Sequence, residues 1–359
     1  MKFNPAIPMT SNARTIYKRN PFLKQATTML LPLVTGITIL FTACNSQDES
    51  YSAFAELLTQ PPYKTLTDSI EKQPERDDLY FRRAILLNKN NQPQPALEDF
   101  RKAWLLNKLE PYATGVSNLL IDAKPDSAIA FLQQALKELP QSIYLQITLA
   151  RTYASLDRNR EALAVCDSIL KKDPDQLNTL MLASEIYDKT GDQPRMIAML
   201  EKAYSLAPNQ REIANSLVYQ YAETKNARAL ALADSLLRTD TLHQFAEPIY
   251  VKGLYYSNLK QDADALKWFD LTIQNDHRFL QAYIEKGKIQ LDQKKFNEAL
   301  KTFNLANEIS PAFPDAWYWM GMAQEKLGLK KEALDNYEKA YGLDKSFIEA
   351  RDAMKRLAS

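Results

Sequence analysis

Two cysteines, Cys44 and Cys166, and two histidines, His243 and His277, are the whole stock of thiols and imidazoles in 359 residues. A zinc site needs three or four such ligands at short fixed spacings, and a nucleophilic thiol needs a base beside it. Neither pattern is present. The chain has no C-x-x-C pair, and both histidines fall in predicted turns, where a solvated side chain is expected. Two cysteines also cannot build a disulfide framework. Carboxylates are plentiful, but no pair stands in an apolar setting that would hold one as an acid and the other as a base. There is no Walker loop, no G-x-S-x-G elbow and no paired-glycine nucleotide turn. The expectation is a chain with no catalytic residue, no metal and no cofactor.

The context of Cys44 is different. Residues 1–43 carry five cations (Lys2, Arg14, Lys18, Arg19 and Lys24) and no acid, and they end in the fifteen uncharged residues Met29–Ala43. Spanning a bilayer takes about 20 apolar residues, and Pro32 and Gly36 weaken a permanent helix further. A cationic region, a short apolar one and small residues at its end predict a secretory signal peptide. The run Phe41-Thr42-Ala43-Cys44 resembles a bacterial lipoprotein signal. That resemblance implies a signal peptide over 1–43, cut before Cys44, with diacylglycerol on the Cys44 sulfur and an acyl group on its new amine. A lipidated tether then covers 44–50. Phe41 departs from the usual Leu, Val or Ile, and Met9 offers a second start; an ordinary signal peptide or a short membrane anchor are the other readings. Each buried methylene adds about 0.8 kcal/mol and one chain anchors only marginally; three chains would make attachment permanent. By the same resemblance, Asn45 rather than Asp after the cysteine points to the outer membrane, on either face.

Beyond residue 43 the body holds 40 basic and 44 acidic groups, a balance of −4. It lacks the basic footprint of a nucleic-acid binder. Glycine is scarce, at eight against eighteen prolines and eighteen tyrosines. Folds rich in tight turns need more glycine than this, so the composition predicts an all-α protein.

A fixed stride carries the fold. Tyr283, Gly287, Ala299, Phe303 and Ala306 recur as Trp317, Gly321, Ala333, Tyr337 and Ala340, each 34 residues on, and Ile249, Gly253, Ala265 and Phe269 lie 34 residues earlier. The same slots recur upstream in Tyr80, Ala84, Ala96 and Phe100; in Tyr112, Ala128 and Leu132; in Ala150, Tyr153, Ala162 and Cys166; and in Tyr187 and Leu200. The pattern resembles the tetratricopeptide repeat, with its W-x2-L-G-x2-Y…A-x3-F…P signature. The resemblance implies a right-handed α-solenoid of about eight helical hairpins over 77–347. They begin near 77, 109, 143, 177, 211, 246, 280 and 314, with capping helices over 51–76 and 348–359. Small residues at Ala84, Ala96, Ala128, Ala150, Ala162, Gly253, Ala265, Gly287, Ala299, Gly321 and Ala333 then lie where helices approach closest. Prolines 140, 174, 208 and 311 end repeats, because proline lacks a donor and disfavours helix before it. The member at 211 has its Ala229 one residue early, which predicts a shortened turn there. Cys166 fills a slot held by Phe or Leu elsewhere, so it reads as a buried structural thiol. In the cap after the last repeat, Ile348, Met354 and Leu357 are expected to face inward.

Within the resemblance, first helices line an inner groove, and positions one and five after the large opening residue point into it. These are Phe81 and Ile85, Ala113 and Ser117, Ile147 and Arg151, Met181 and Glu185, Asn215 and Tyr219, Tyr250 and Leu254, Ile284 and Lys288, Tyr318 and Met322. The Lys and Asn pattern that grips a peptide carboxylate in some members is absent. Apolar and aromatic side chains stand in its place, as at the centres of protein interfaces; the other reading is that they pack between neighbouring repeats. The function expected is a non-catalytic scaffold of the bacterial envelope, anchored by lipid and holding other envelope proteins or peptides in its groove, with no nucleic-acid partner. The alternative is a lipoprotein that binds a glycan or peptide ligand for uptake or secretion.

Overall fold

The computed structural model describes residues 54–240 and 245–358, so Cys44, the apolar run before it and His243 lie outside the described residues. Two helices open this part, α1 (Ala55–Leu58) and α2 (Lys64–Lys72). Eight hairpins follow in chain order. They are α3 (Asp77–Lys89) with α4 (Pro93–Leu106), α5 (Glu110–Ala123) with α6 (Pro125–Glu138), α7 (Ile143–Ser155) with α8 (Asn159–Lys172), and α9 (Leu177–Thr190) with α10 (Gln193–Leu206). Then come α11 (Arg211–Glu223) with α12 (Arg228–Thr239), α13 (Glu247–Asn258) with α14 (Asp262–Asn275), α15 (Leu280–Asp292) with α16 (Phe296–Ile309), and α17 (Pro314–Lys326) with α18 (Lys330–Leu343). Helix α19 (Ile348–Ala358) closes the chain. The described residues form an all-α solenoid of hairpins.

Local chemistry explains where helices start. Proline occupies the first turn of α4, α5, α6, α10, α13 and α17, where its missing N–H would have no helical partner. Ser142, Gln176 and Asp192 accept a backbone N–H of the first turn on their side chains. Pro140, Pro174, Pro208 and Pro311 lie in the links between hairpins.

Seven of the eight hairpins turn in one way. Asn91, Asp157, Gly191, Lys225, Lys260, Lys294 and Gly328 take left-handed φ angles of 57 to 79°. The next N–H in each case reaches back five residues, as in Gln92 to Leu87, Asn226 to Tyr221 and Leu329 to Gln324, at 2.8–2.9 Å. This is the Schellman closure, which satisfies carbonyls the helix end leaves open. The second hairpin departs from it: Lys124 alone separates α5 from α6, with φ at −148°.

The hairpin at 211 corrects the expectation of a short turn. Its turn is intact around Lys225, and the missing residue comes out of the following helix. Helix α12 has 12 residues where the other second helices have 14, and Ala229 is its second residue rather than its fourth. The turn is closed by its own hydrogen bonds and has a fixed length. A helix's first turn has free N–H groups in any case, so it is the cheaper place to lose a residue.

The small residues fall at the joints. Ala84, Ala96, Ala128, Ala150, Ala162, Ala265, Ala299 and Ala333 are wholly buried, and Gly253, Gly287 and Gly321 are buried with them. A β-carbon on Gly253 would meet the Phe269 ring at 2.7 Å, and one on Gly321 the Tyr337 ring at 2.8 Å; Phe303 covers Gly287 in the same way. These contacts leave no room for a side chain. Gly115 is under the same constraint from Phe100, a ring of the preceding hairpin.

The ends are capped by short helices. Leu58, Tyr63 and Ile70 are buried at the start, and Thr67 Oγ1 donates to the Leu58 carbonyl at 2.7 Å. In α19 the inward residues are Ala350 and Ala353, with Met354 and Leu357 partly covered, while Ile348 is 54% exposed. That corrects the expectation for Ile348. The inward stripe of 350, 353, 354 and 357 follows the helical period, and a residue two before its first member points to the opposite side.

Candidate functional site

The packing order sets an inner row of helices. First helices touch first helices along α5, α7 and α9, and again along α11, α13, α15 and α17. Each second helix but the last is wedged between two first helices, α18 instead lying between α17 and the closing helix α19, and no two second helices pack together comparably. Side chains on the free side of the first helices therefore share one face.

The residues singled out from the sequence divide along this row. Leu254 and Ile284, each 6% exposed, are core rather than groove lining. Ala113 and Ser117 are fully buried, because the second hairpin is displaced in register around Gly115. Tyr318 and Met322 pack against Ala333, Tyr337 and Ala353, with the Tyr318 ring 5.0 Å from Phe347, so the chain's own C-terminal segment covers that end. Phe81 is half-buried between Phe100 and Tyr112. Ile147, Met181, Tyr219 and Tyr250 are half-buried against the main core. Ile85 stands out at 48% exposed, and Arg151 and Glu185 are exposed as well.

What the inner face brings together is a set of hydroxyl and carboxylate groups around two tyrosines. Tyr219 on α11 and Tyr250 on α13 lie within electrostatic range of one another. Burial, then Glu223, Glu285 and Asp188, pushes the Tyr219 hydroxyl up to about 12. Burial, followed by Glu285, Tyr219 and Glu223, pushes Tyr250 well above its ordinary value. The Tyr250 ring is held at 4.9 Å from Phe279 and 5.7 Å from Phe269. Glu223 is itself held above the usual carboxylate range by burial; Asn258 and Lys288 pull the other way and Glu285 reinforces the rise. Asp315 on α17 is raised too, first by burial, with Asp344 and Glu285 adding to it. Lys288 is the cation inside this set. It donates to both Glu285 oxygens at 2.8 and 3.0 Å, with its ammonium 5.6 Å from the centre of the Trp319 ring.

Of these residues the sequence pattern marks Tyr219, Tyr250 and Lys288 and passes over Glu223, Glu285 and Asp315. A signal existed, since Glu223 follows Tyr219 by four and Lys288 follows Glu285 by three, spacings that share a helix face. Elsewhere, the Cys166 thiol is pushed up to about 12 by burial, which makes it a poor nucleophile. His277 is an exposed turn residue whose carbonyl accepts from the Tyr283 hydroxyl at 3.2 Å. Among the described residues no group of three His, Cys, Asp or Glu is placed to hold a metal, and no helix is long and apolar enough to cross a membrane.

With this architecture in view, comparison with known proteins gives one consistent result. Tetratricopeptide-repeat profiles match residues 119–186, 177–210, 282–328 and 314–347. The chain carries tetratricopeptide repeats. It is similar to a tetratricopeptide repeat protein of Parabacteroides merdae, with a TM-score of 0.57 and 15% identity over 69% of this chain and 98% of that one, a likeness of fold. It is also similar to interferon-induced protein with tetratricopeptide repeats 2 from Mus musculus, 27% identical over 42% of this chain, and from Cricetulus griseus, 25% identical over 51%. The matched stretches span 28% and 35% of those two proteins.

Proposed function

We propose that the chain is a non-catalytic scaffold that holds other proteins on the inner face of its helix row. The observation that supports this most is the half-buried set of Tyr219, Glu223, Tyr250 and Glu285. These are polar groups partly shielded from bulk water at the inner surface, where Tyr219 and Asn258 hydrogen-bond to Glu223 and Lys288 donates to Glu285. Aromatic residues with a polar tip are the type that anchors interface centres. The test is a pull-down from envelope extract with the full chain and with a Tyr219→Ala, Tyr250→Ala double variant. The reading expects a stoichiometric protein partner that the variant loses while its helical circular dichroism is retained. Equal recovery by both forms would refute it.

The location belongs to the same proposal. The cationic stretch, the fifteen apolar residues and Cys44 favour an outer-membrane lipoprotein whose repeats organise envelope proteins. Cells expressing Cys44→Ser should give a chain that no longer takes up labelled palmitate. Uptake by the variant would remove the lipid anchor from the account.

A further inference from the structure

Where one hairpin hands over to the next, the first links leave large apolar side chains in solvent. Leu105 lies in the last turn of α4, Leu109 in the link to α5, and Ile143 and Tyr144 open α7. These four are 36 to 55% exposed. Leu109 and Ile143 stand 34 residues apart and so hold the same place in successive hairpins. The Ser142 hydroxyl donates to Glu110 at 2.5 Å, which ties the two links into one surface. The next link, 173–176, reads Asp-Pro-Asp-Gln and has no large apolar residue. Ile309 and Leu343 lie at the same edge farther along, whereas the opposite edge, where each hairpin turns, exposes Leu259 and Leu329 singly among the described residues. Clustered apolar side chains left in water mark a contact with a protein or a membrane.

Two observations favour the membrane. Lys102, Lys108 and Lys137 belong to the same helix ends and link, against Glu138 and the Glu110 that Ser142 already serves. Lys108 donates to the Trp104 carbonyl at 2.7 Å with its ammonium 5.0 Å from the centre of that ring, so its stem runs over apolar surface. Aliphatic side chains, a tyrosine and lysines with apolar stems are the set that settles between headgroups and acyl chains. The second observation is chain length. Cys44 precedes Phe54 by ten residues, which extend over at most about 35 Å. A chain held by lipid at Cys44 keeps its first hairpins within reach of the bilayer.

We propose that the edge formed by Leu105, Leu109, Ile143 and Tyr144 rests on the phospholipid surface, with these side chains in the headgroup layer. This rests on the lipid anchor put forward above for Cys44, and it adds how the body is held. The helices run between the two edges, so they stand upright on the membrane and leave the inner row open sideways to partners.

The test uses the full acylated chain in vesicles of phosphatidylethanolamine and phosphatidylglycerol. An environment-sensitive dye is attached at Gln141→Cys, beside the patch, or at Gln261→Cys on the opposite edge, both exposed positions. Cys166 is buried and Cys44 is acylated in this form, so neither competes for the dye. Lipids brominated on their acyl chains act as quenchers. The proposal expects the dye at 141 to shift to the blue and to be quenched several-fold more than the dye at 261. Leu109→Glu together with Ile143→Glu should abolish that quenching while the chain keeps its helical circular dichroism and still floats with the vesicles. A chain that floats but is quenched alike at both positions overturns the proposal and leaves the anchor standing. A blue shift at 141 without quenching means that a second copy or another protein covers the edge, and overturns it too. A chain that does not float removes the anchor itself, and the proposal with it.

Discussion

The first hairpin and the last three close the same gap between their helices by different means. In the last three, a glycine on the first helix lies under a ring of its own second helix: Gly253 under Phe269, Gly287 under Phe303 and Gly321 under Tyr337. In the first, Ala84 takes the glycine's place and Phe100 leans forward onto Gly115 of the next hairpin. What ties that hairpin internally is charge. Arg83 donates to both Asp99 oxygens at 2.7 and 2.8 Å and to Thr67 Oγ1 at 2.9 Å, with the pair's side chains 4% and 0% exposed. The Thr67 bond to Leu58 extends the chain of contacts into the cap. The later cations reach backwards instead: Lys252 to Asp234 and Lys286 to Asp270, each in the preceding hairpin. A hairpin inside the stack has neighbours on both sides to fix it. The one at the start has a short cap on one side, and it uses directional bonds to hold helix against helix and both against that cap.

The contrast can be broken most forcefully at Asp99. Asp99→Ala leaves the Arg83 guanidinium buried without its carboxylate and should cost about 3–5 kcal/mol, read by urea unfolding. Asp270→Ala, at a pair that is far more exposed, should cost less than about 1 kcal/mol. Similar losses at the two sites would mean the first hairpin is no more dependent on charge than the later ones. Next in size is Gly287→Leu, which drives a side chain into Phe303 and should cost about 1–3 kcal/mol. Gly342, in α18 with open space around it, is the control; Gly342→Ala should stabilise by about 1 kcal/mol. Loss at both glycines would show that helix geometry, not the ring contact, sets the requirement.

The smallest effect separates the packed joints from the inner face. Folded Glu223 binds its proton more tightly than the unfolded chain does, because its carboxyl is raised. Its contribution to stability is therefore greatest below the ordinary carboxylate range and falls as pH rises towards the raised value. Glu223→Gln should melt higher than the parent at pH 7.5, with the gap closing at pH 4. An unchanged difference across that range would mean the carboxylate is not held against its surroundings.

Much of the stack was legible in the sequence because close packing of two helices admits only the smallest side chains, and those recur with one stride. Gly287, Gly321 and the alanines could be read in that way. Gly115 could not, since its ring comes from the hairpin before and the second repeat has lost its left-handed turn residue. The register error carried Ala113 and Ser117 with it. Leu254 and Ile284 hold groove positions by their count along the helix, and only the packing of the neighbouring helices shows that they are core. Glu223, Glu285 and Asp315 are not legible in the sequence, because a carboxylate on a helix looks like a solubilising one until its neighbours on other helices are known.

The claim on which the rest depends is that partners meet the inner row and not the outer helices. A benzophenone side chain can be placed in the full chain at Tyr250, on that row, or at Leu271, an exposed residue of α14. On irradiation in cells, the account predicts a discrete protein cross-link from position 250 and none from position 271. A partner captured from 271 alone would contradict it.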